Sequence, residues 1–206
     1  YRAQDHGFHH LRGGDHHAVL STRERDQHLL RGRQARVADL HAQVAARDHD
    51  GVAGRDDLAY EVWLASTIQE ENGLLGASSL QDEETFDLAI ALDVGLTGDI
   101  PGVDKRDFPC KLGAGPIVVY QDVTGQYSRI FADRLVATAQ RTSIPLQRAI
   151  FQGYGSDGSA LIRRGVQSAL LTYPTRYTHS PYETVNVQDL EAAVSILVAF
   201  ATEAWA

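Results

Sequence analysis

Five short apolar runs after Leu58, each soon followed by glycine, proline or a charged side chain, restrict this chain to folds built on a β-sheet. The runs cover 60–66, 86–94, 116–120, 146–152 and 167–173. Between them, 127–141 carries Ile130, Phe131, Leu135, Val136 and Ala139, spaced as the apolar stripe of a helix that Pro145 then stops. Ser156 and Asp157 read as an N-cap for a short helix through Arg164, closed by Gly165. The stretch 187–205 reads as a long terminal helix. Strands alternating with helices through short links predict an α/β domain, a mixed β-sheet flanked by helices on both sides.

The first quarter does not share this pattern. Eight of the nine histidines lie before residue 57, and lysine, isoleucine, asparagine and proline are all absent before Ile68. Only 37–46 has the spacing of a short amphipathic helix. Residues 1–57 are therefore set apart as an atypical His/Arg-rich segment, and 58–206 as the recognisable domain. Three readings of 1–57 stay open: a histidine-rich metal-binding tract, a poorly ordered polar arm, or a mistranslated stretch of coding sequence.

With 206 residues, one domain suffices for a core. A net charge of −8 argues against a nucleic-acid partner. No apolar run is long enough to span a membrane, so no membrane association is expected. Cys110 is the single cysteine, which points to a reducing, cytoplasmic setting. With no histidine near it in sequence, Cys110 reads as a core residue and not as a nucleophile.

Candidate chemistry gathers where the predicted strands end, because open α/β sheets bind ligands at the carboxyl ends of their strands. Glu70 and Glu71 follow the first strand, Asp93 ends the second with Asp99 and Asp104 beyond it, and His179 follows the last. A Glu, an Asp and a His from three strand ends can form a ligand set for zinc, cobalt or manganese. The Glu pair also allows one carboxylate to bind metal while its neighbour handles protons. Each residue has an ordinary structural reading as a cap, a surface side chain or a solvated turn. Gly155-Ser156-Asp157-Gly158 lacks the outer glycine of a nucleophile elbow, since Tyr154 occupies that place, so Ser156 reads as a cap or hydrogen-bond donor.

Six segments carry a resemblance: TIQEENGLLGA (67–77), ALDVGLTGDIPG (91–102), KLGAGP (111–116), IPLQ (144–147), GSDGSALIRRG (155–165) and PTRYTHSPYE (174–183). In this order and spacing the chain resembles the glutamyl-aminopeptidase and deblocking-aminopeptidase family of dinuclear metallopeptidases, some of them formerly labelled endoglucanases. The resemblance implies a zinc-exopeptidase-like fold, with 58–206 as the carboxyl-terminal part of the catalytic domain. It also implies two divalent metal ions, zinc or cobalt with manganese as a further option. Glu70 takes the place of the general base, Glu71 and His179 those of ligands to one metal, and Asp93 that of a ligand to the other. The implied reaction is removal of amino-terminal residues from peptide substrates by activated water, in a parent that assembles as a homo-oligomer.

Three departures accompany the resemblance. Nothing matches the family's amino-terminal metal histidine, its inserted β-barrel domain is absent, and its bridging Asp is not found in its usual surroundings. Asp39 has nearly the right separation from Glu70 and is carried as a candidate metal ligand. Two further functional readings therefore stay open: a non-catalytic remnant acting through assembly or metal binding, and a glycoside hydrolase using Glu70 with Asp93.

Overall fold

The computed structural model describes residues 16–24, 55–83 and 85–204, with backbone alone for 16–24. Asp39 and the expected helix over 37–46 lie outside the described residues, as does Trp205. Seven strands among the described residues form one sheet: β1 (His16–Glu24), β2 (Tyr60–Ile68), β3 (Leu88–Leu96), β4 (Ile117–Gln121), β5 (Gln147–Ile150), β6 (Gln167–Arg176) and β7 (Thr184–Val185). The helices are α1 (Leu75–Glu83), α2 (Arg129–Arg141), α3 (Gly158–Arg163) and α4 (Val187–Ala201).

The strand order is β2-β1-β3-β6-β4-β5, with β7 paired to the end of β6. β3 and β6 run parallel, β4 and β5 run parallel to each other, and β4 opposes β6. β1 pairs antiparallel with both β2 and β3, so β2, β3 and β6 all point one way. Their carboxyl ends therefore share one edge of the sheet. β1, drawn from the atypical first segment, brings His16 and His17 to that edge, opposite Ile68 and Thr67.

Alternation along the central strands sorts their side chains onto two faces. Leu88, Ile90 and Leu92 of β3 join Val118 of β4 and Ala169, Leu171 and Tyr173 of β6 under α2 and α4. Phe200 of α4 is the hub there, stacked on Tyr60 at 5.5 Å and packed against Phe131 at 5.3 Å. On the other face, Ala89 meets Leu161 of α3 and Leu80 of α1, and Ala91 lies with Ile117, Leu170, Phe151 and Tyr154. Asp93 follows in the same alternation, at the end of that second face. The small side chains of Ala89 and Ala91 leave room for α3 to approach.

Several boundaries differ from the sequence pattern for definable reasons. β6 continues through Pro174 to Arg176, beyond the expected end at Tyr173. Proline, which has no N–H to donate, is tolerated because the pairing with β4 ends at Thr172, opposite Ile117, so no ladder bond is demanded of Pro174 on that side. α2 starts at Arg129 because the Ser128 side chain accepts from Phe131 N, and Ile130 is 69% exposed instead of joining the stripe. The helix ends at Arg141, four positions before Pro145, at a turn in which Ser143 takes φ 58°. α1 has no counterpart in the predicted elements: its polar run Ser78-Ser79 and its Gly76 conceal it. Gly76 is required there because a Cβ would come within 2.6 Å of Ile68 N and 2.7 Å of Ile68 O.

The exposure difference inside α2 is directly testable. Phe131→Ala is expected to cost about 3–5 kcal/mol in urea unfolding, while the adjacent Ile130→Ala is expected to stay within about 0.5 kcal/mol.

Candidate functional site

The end of β2 turns sharply to present the two glutamates. Gln69 takes φ 57°, then the carbonyl of Glu70 accepts from Gly73 N at 3.1 Å and Leu74 N at 2.9 Å. Gly73 at φ 101° and Leu74 at φ 61° complete the reversal into α1. Left-handed backbone at Gln69 and Leu74 costs about 1 kcal/mol or more each, and such strain persists only where surrounding structure enforces it. Two contacts enforce it here: Gly76 lies flat against Ile68, and the Thr67 hydroxyl donates to the Asp157 carboxylate at the start of α3. Thr67 is 3% exposed and Asp157 1%.

That bond also corrects the expected cap. Asp157 has helical backbone angles and makes no side-chain cap bond, because its carboxylate is turned toward Thr67. Ser156 Oγ instead accepts from Gly158 N at 3.4 Å and lies 2.9 Å from the Tyr127 hydroxyl. Gly165, at φ 88°, follows α3 and its C-cap Arg164, as the sequence pattern expects.

His179 is presented by a second strained loop. Tyr177 takes φ 64° and His179 itself φ 61°. The His179 N–H donates to Glu183 Oε1 at 3.0 Å, which holds the histidine backbone in place. Arg176, just before the loop, donates to Asp99 Oδ1 at 3.2 Å, and this hydrogen bond holds the Asp99 carboxyl below the usual carboxylate range. Asp99 is thus a strut for the loop. Asp104 pairs with Arg106 in an exposed turn away from the strand ends.

The two loops meet across a cleft of about 580 Å³ whose wall includes Glu70, Glu71, Asp93, Tyr154, Arg163 and His179. Glu71 Oε1 and His179 Nε2 are 2.6 Å apart, although the residues are 108 positions apart in sequence. Glu70 and Asp93 are buried, at 8% and 3% exposure, while Glu71 and His179 are open to solvent. β3 runs on to Leu96, so Asp93 lies inside the strand and does not end it; its Oδ1 accepts from Val94 N at 2.7 Å, which fixes its rotamer. Four of the five candidate site residues therefore line one cleft; the fifth, Asp39, lies outside the described residues.

Tyr154 is a site residue that the sequence reading passed over. Its hydroxyl donates to Val94 O at 2.7 Å, and burial, then the Asp93 charge, raise its ionisation well above the ordinary phenol range. It remains a neutral hydrogen-bonding wall beside Asp93. The signal for it was the run Gly153-Tyr154-Gly155: Gly153 takes φ 72°, and Gly155 lies against Thr124, whose Cγ2 a Cβ would meet at 2.7 Å.

The donor chemistry of the cleft fits a divalent cation such as zinc, cobalt or manganese, since an imidazole nitrogen and a carboxylate oxygen are already in contact there. The number of gathered donors is smaller than a full centre requires. Among the described residues, no group of three or more His, Cys, Asp or Glu side chains converges to hold a metal ion. Glu71 and His179 would hold one ion as a two-residue set, with Asp93 separate from them in the same cleft. Cys110 contributes nothing to the site: it is 3% exposed, and burial pushes its thiol up to about 11.

The model of the M42 glutamyl aminopeptidase family matches residues 52–196. An aminopeptidase relative from Acetivibrio thermocellus is 36% identical over 140 residues, covering 67% of this chain and 42% of that protein. Among solved structures, aminopeptidase APDkam598 from the archaeon Desulfurococcus kamchatkensis is 30% identical with a TM-score of 0.72, covering 79% of this chain and 47% of that one. The Pyrococcus horikoshii TET1 peptidase, which can assemble into a tetrahedron or a large octahedral shell, is 27% identical with a TM-score of 0.67, covering 89% and 50%. The chain thus spans about two fifths of the length of the curated relative it matches and about half of these solved chains. Among the described residues no helix is long and apolar enough to cross a membrane.

Two outcomes follow from the geometry. Thr67→Val, which removes one hydrogen bond from a buried carboxylate, is expected to lower stability by about 1–3 kcal/mol, and Thr67→Ser to restore most of it, as read by chemical denaturation. At pH 8 a thiol raised to about 11 is almost wholly protonated. Iodoacetamide should therefore label Cys110 in the folded chain roughly a hundredfold more slowly than in urea.

Proposed function

From the membership of this chain in the M42 glutamyl aminopeptidase family, we propose that it is the carboxyl-terminal part of a catalytic domain that removes amino-terminal residues from peptides. The observation that carries this reading is the convergence of Glu70, Glu71, Asp93 and His179 on one cleft from the turn after β2, from β3 and from the loop after β6. The sequence sets the Glu70-Glu71 pair, Asp93 and His179 well apart, and the fold brings them to one edge of the sheet.

In this reading Glu71 and His179 hold one divalent ion, zinc or cobalt with manganese as a further option, and Asp93 contributes to a second. When bound, such ions supply Lewis acidity at the scissile carbonyl and at the attacking water. Glu70 is the general base. Its buried carboxylate takes a proton from the attacking water and returns it to the departing amine. The turn at Gln69 sends Glu70 inward and leaves Glu71 exposed beside His179, which separates proton transfer from metal holding. The acidic cleft favours the free α-amino group of a peptide, in keeping with cleavage from the amino terminus. Remaining metal donors, Asp39 among the candidates, would come from outside the described residues.

A second reading is favoured by one observation, the lack of a three-donor group among the described residues. It makes the chain a non-catalytic remnant that binds a metal or takes part in assembly. Calorimetric titration with zinc beside a peptidase assay separates the two: binding of two ions with turnover rejects the remnant. The assembling Pyrococcus horikoshii neighbour supports a homo-oligomeric parent, and the lone buried Cys110 supports a cytoplasmic one.

In a full-length parent supplied with cobalt or zinc, Glu70→Gln should lower peptide turnover by about 10²–10⁴-fold; wild-type turnover in that variant would remove Glu70 from its role. The isolated chain should show little or no cleavage, and robust chelator-sensitive hydrolysis by it alone would overturn that expectation.

A further inference from the structure

Asp122, just after β4, is a buried carboxylate, 3% exposed, for which the proposed reaction has no task. Its Oδ1 accepts from Thr124 N at 2.7 Å, Thr124 Oγ1 at 2.5 Å and Gly125 N at 3.1 Å, the bonds of an ordinary aspartate turn. Such a turn needs one oxygen and no burial. The second oxygen, Oδ2, accepts from the Tyr127 hydroxyl at 2.6 Å. Burial, then the Asp122 charge, raises that hydroxyl's ionisation above the ordinary phenol range, so it keeps the proton it donates. Its single hydrogen is committed to Asp122, which makes Ser156 Oγ, 2.9 Å away, the donor to Tyr127. Donation therefore runs from Ser156 to Tyr127 to Asp122.

Both arms of Asp122 lead to the segment that carries Tyr154. Inside the turn, Val123 N donates to Tyr154 O at 3.0 Å, and Gly155 lies against the Thr124 side chain. Along the other arm, Tyr127 holds Ser156, and its ring packs on Gly158 at the start of α3, where a Cβ would come within 2.7 Å. Tyr154, gripped in this way, reaches with its hydroxyl to Val94 O, and the N–H of the same Val94 fixes the Asp93 carboxylate. Thr124, Tyr154 and Asp93 line the cleft, whereas Asp122 is not part of its wall. We propose that Asp122 is a positioning residue: by fixing the Thr124 turn and Ser156 it holds Tyr154 against β3 and keeps Asp93 where the reaction needs it. The proposal rests on the aminopeptidase reading above. A turn cap alone would stabilise 122–127 and leave the surroundings of Asp93 undisturbed.

Two measurements test this, one of them independent of turnover. Amide hydrogen exchange, read by mass spectrometry, is followed in this chain as wild type, Asp122→Ala, Asp122→Asn and Tyr127→Phe. Asp122→Ala should speed exchange about tenfold over 93–96 and 153–158 as well as over 122–127, with α4 unchanged. Asp122→Asn should stay near wild type, because its amide oxygen keeps the turn bonds and its NH2 donates to Tyr127, which then donates to Ser156. Tyr127→Phe keeps the ring and the turn, so its faster exchange should fall on 153–158 and 93–96 and spare 122–125. In the full-length parent with zinc, tested on a panel of amino-acid 4-nitroanilides, Asp122→Ala should lower kcat about a hundredfold with KM nearly unchanged. Asp122→Asn should recover most of that loss. Faster exchange confined to 122–127, or wild-type kcat in a folded Asp122→Ala, overturns the positioning role. Tyr127→Phe carries both measurements if Asp122→Ala does not fold. Absence of turnover in the wild-type parent overturns the aminopeptidase reading instead, and exchange over 93–96 then decides whether Asp122 holds the cleft wall.

Discussion

The buried hydrogen bond between Thr67 and Asp157 is the constraint on which the site depends. It links residues 90 positions apart, the end of β2 and the beginning of α3, inside a region with almost no solvent. It ties an outer strand directly to a helix packed over the centre of the sheet. With it, the turn carrying Glu70 and Glu71 is held in the same cleft wall as Asp93 of β3. A carboxylate in such a place is costly to bury without partners, so the contact is strongly specified. Gly76 closes the neighbouring junction, α1 against the end of β2, by contact of backbone on backbone.

Opposite the junction, Asp189 plays a comparable part for the KLGAGP segment. Its buried carboxylate, in the first turn of α4, accepts from Gly113 N at 2.7 Å and Gly115 N at 2.8 Å. These carboxylates give a physical reason for motifs that carry no chemistry of their own. GSDG and KLGAGP are the two sides of anchoring contacts, with glycine on the side where a backbone must come near. Glu183 and Asp99 do this for the histidine loop.

Much of this was legible in the sequence where side-chain period and local strength agreed. The runs behind β3 and β6 are apolar on both faces, as strands buried on both sides must be, and their positions followed directly. α1 was not legible, because Gly76, Ser78 and Ser79 weaken any helical signal; tertiary contact with Ile68 and with Ala160 of α3 decides its state. Ile130 fits the stripe of α2 by spacing, yet lies at the helix margin and faces water. Asp157 looked like a cap because aspartate usually caps, but a bond to a residue distant in sequence outweighs a local one and cannot be read from local pattern. The pairing of Glu71 with His179 was accessible only through resemblance, since nothing in spacing alone sets two residues 108 positions apart in contact. Arg163 escaped because it does not depart from an ordinary helix end, and Tyr154, despite its flanking glycines, because its place beside Asp93 exists only once the loop after β5 meets β3. β1 had no visible strand pattern, and its place in the sheet comes from pairing with two neighbours.

The left-handed residues Gln69, Leu74, Tyr177 and His179 have a consequence for how the molecule comes apart. They cluster in the two loops that form the cleft, whereas the central strands and α2 hold the deeply buried aromatic and aliphatic side chains. Strained loops fixed by a few bonds open at lower free energy than the core beneath them. The cleft is accordingly the first unit to be lost under thermal or chemical stress, with the sheet intact below it. Loss of the cleft and unfolding would then be separate events in this fold, and a chain could retain its full secondary structure after its cleft had gone.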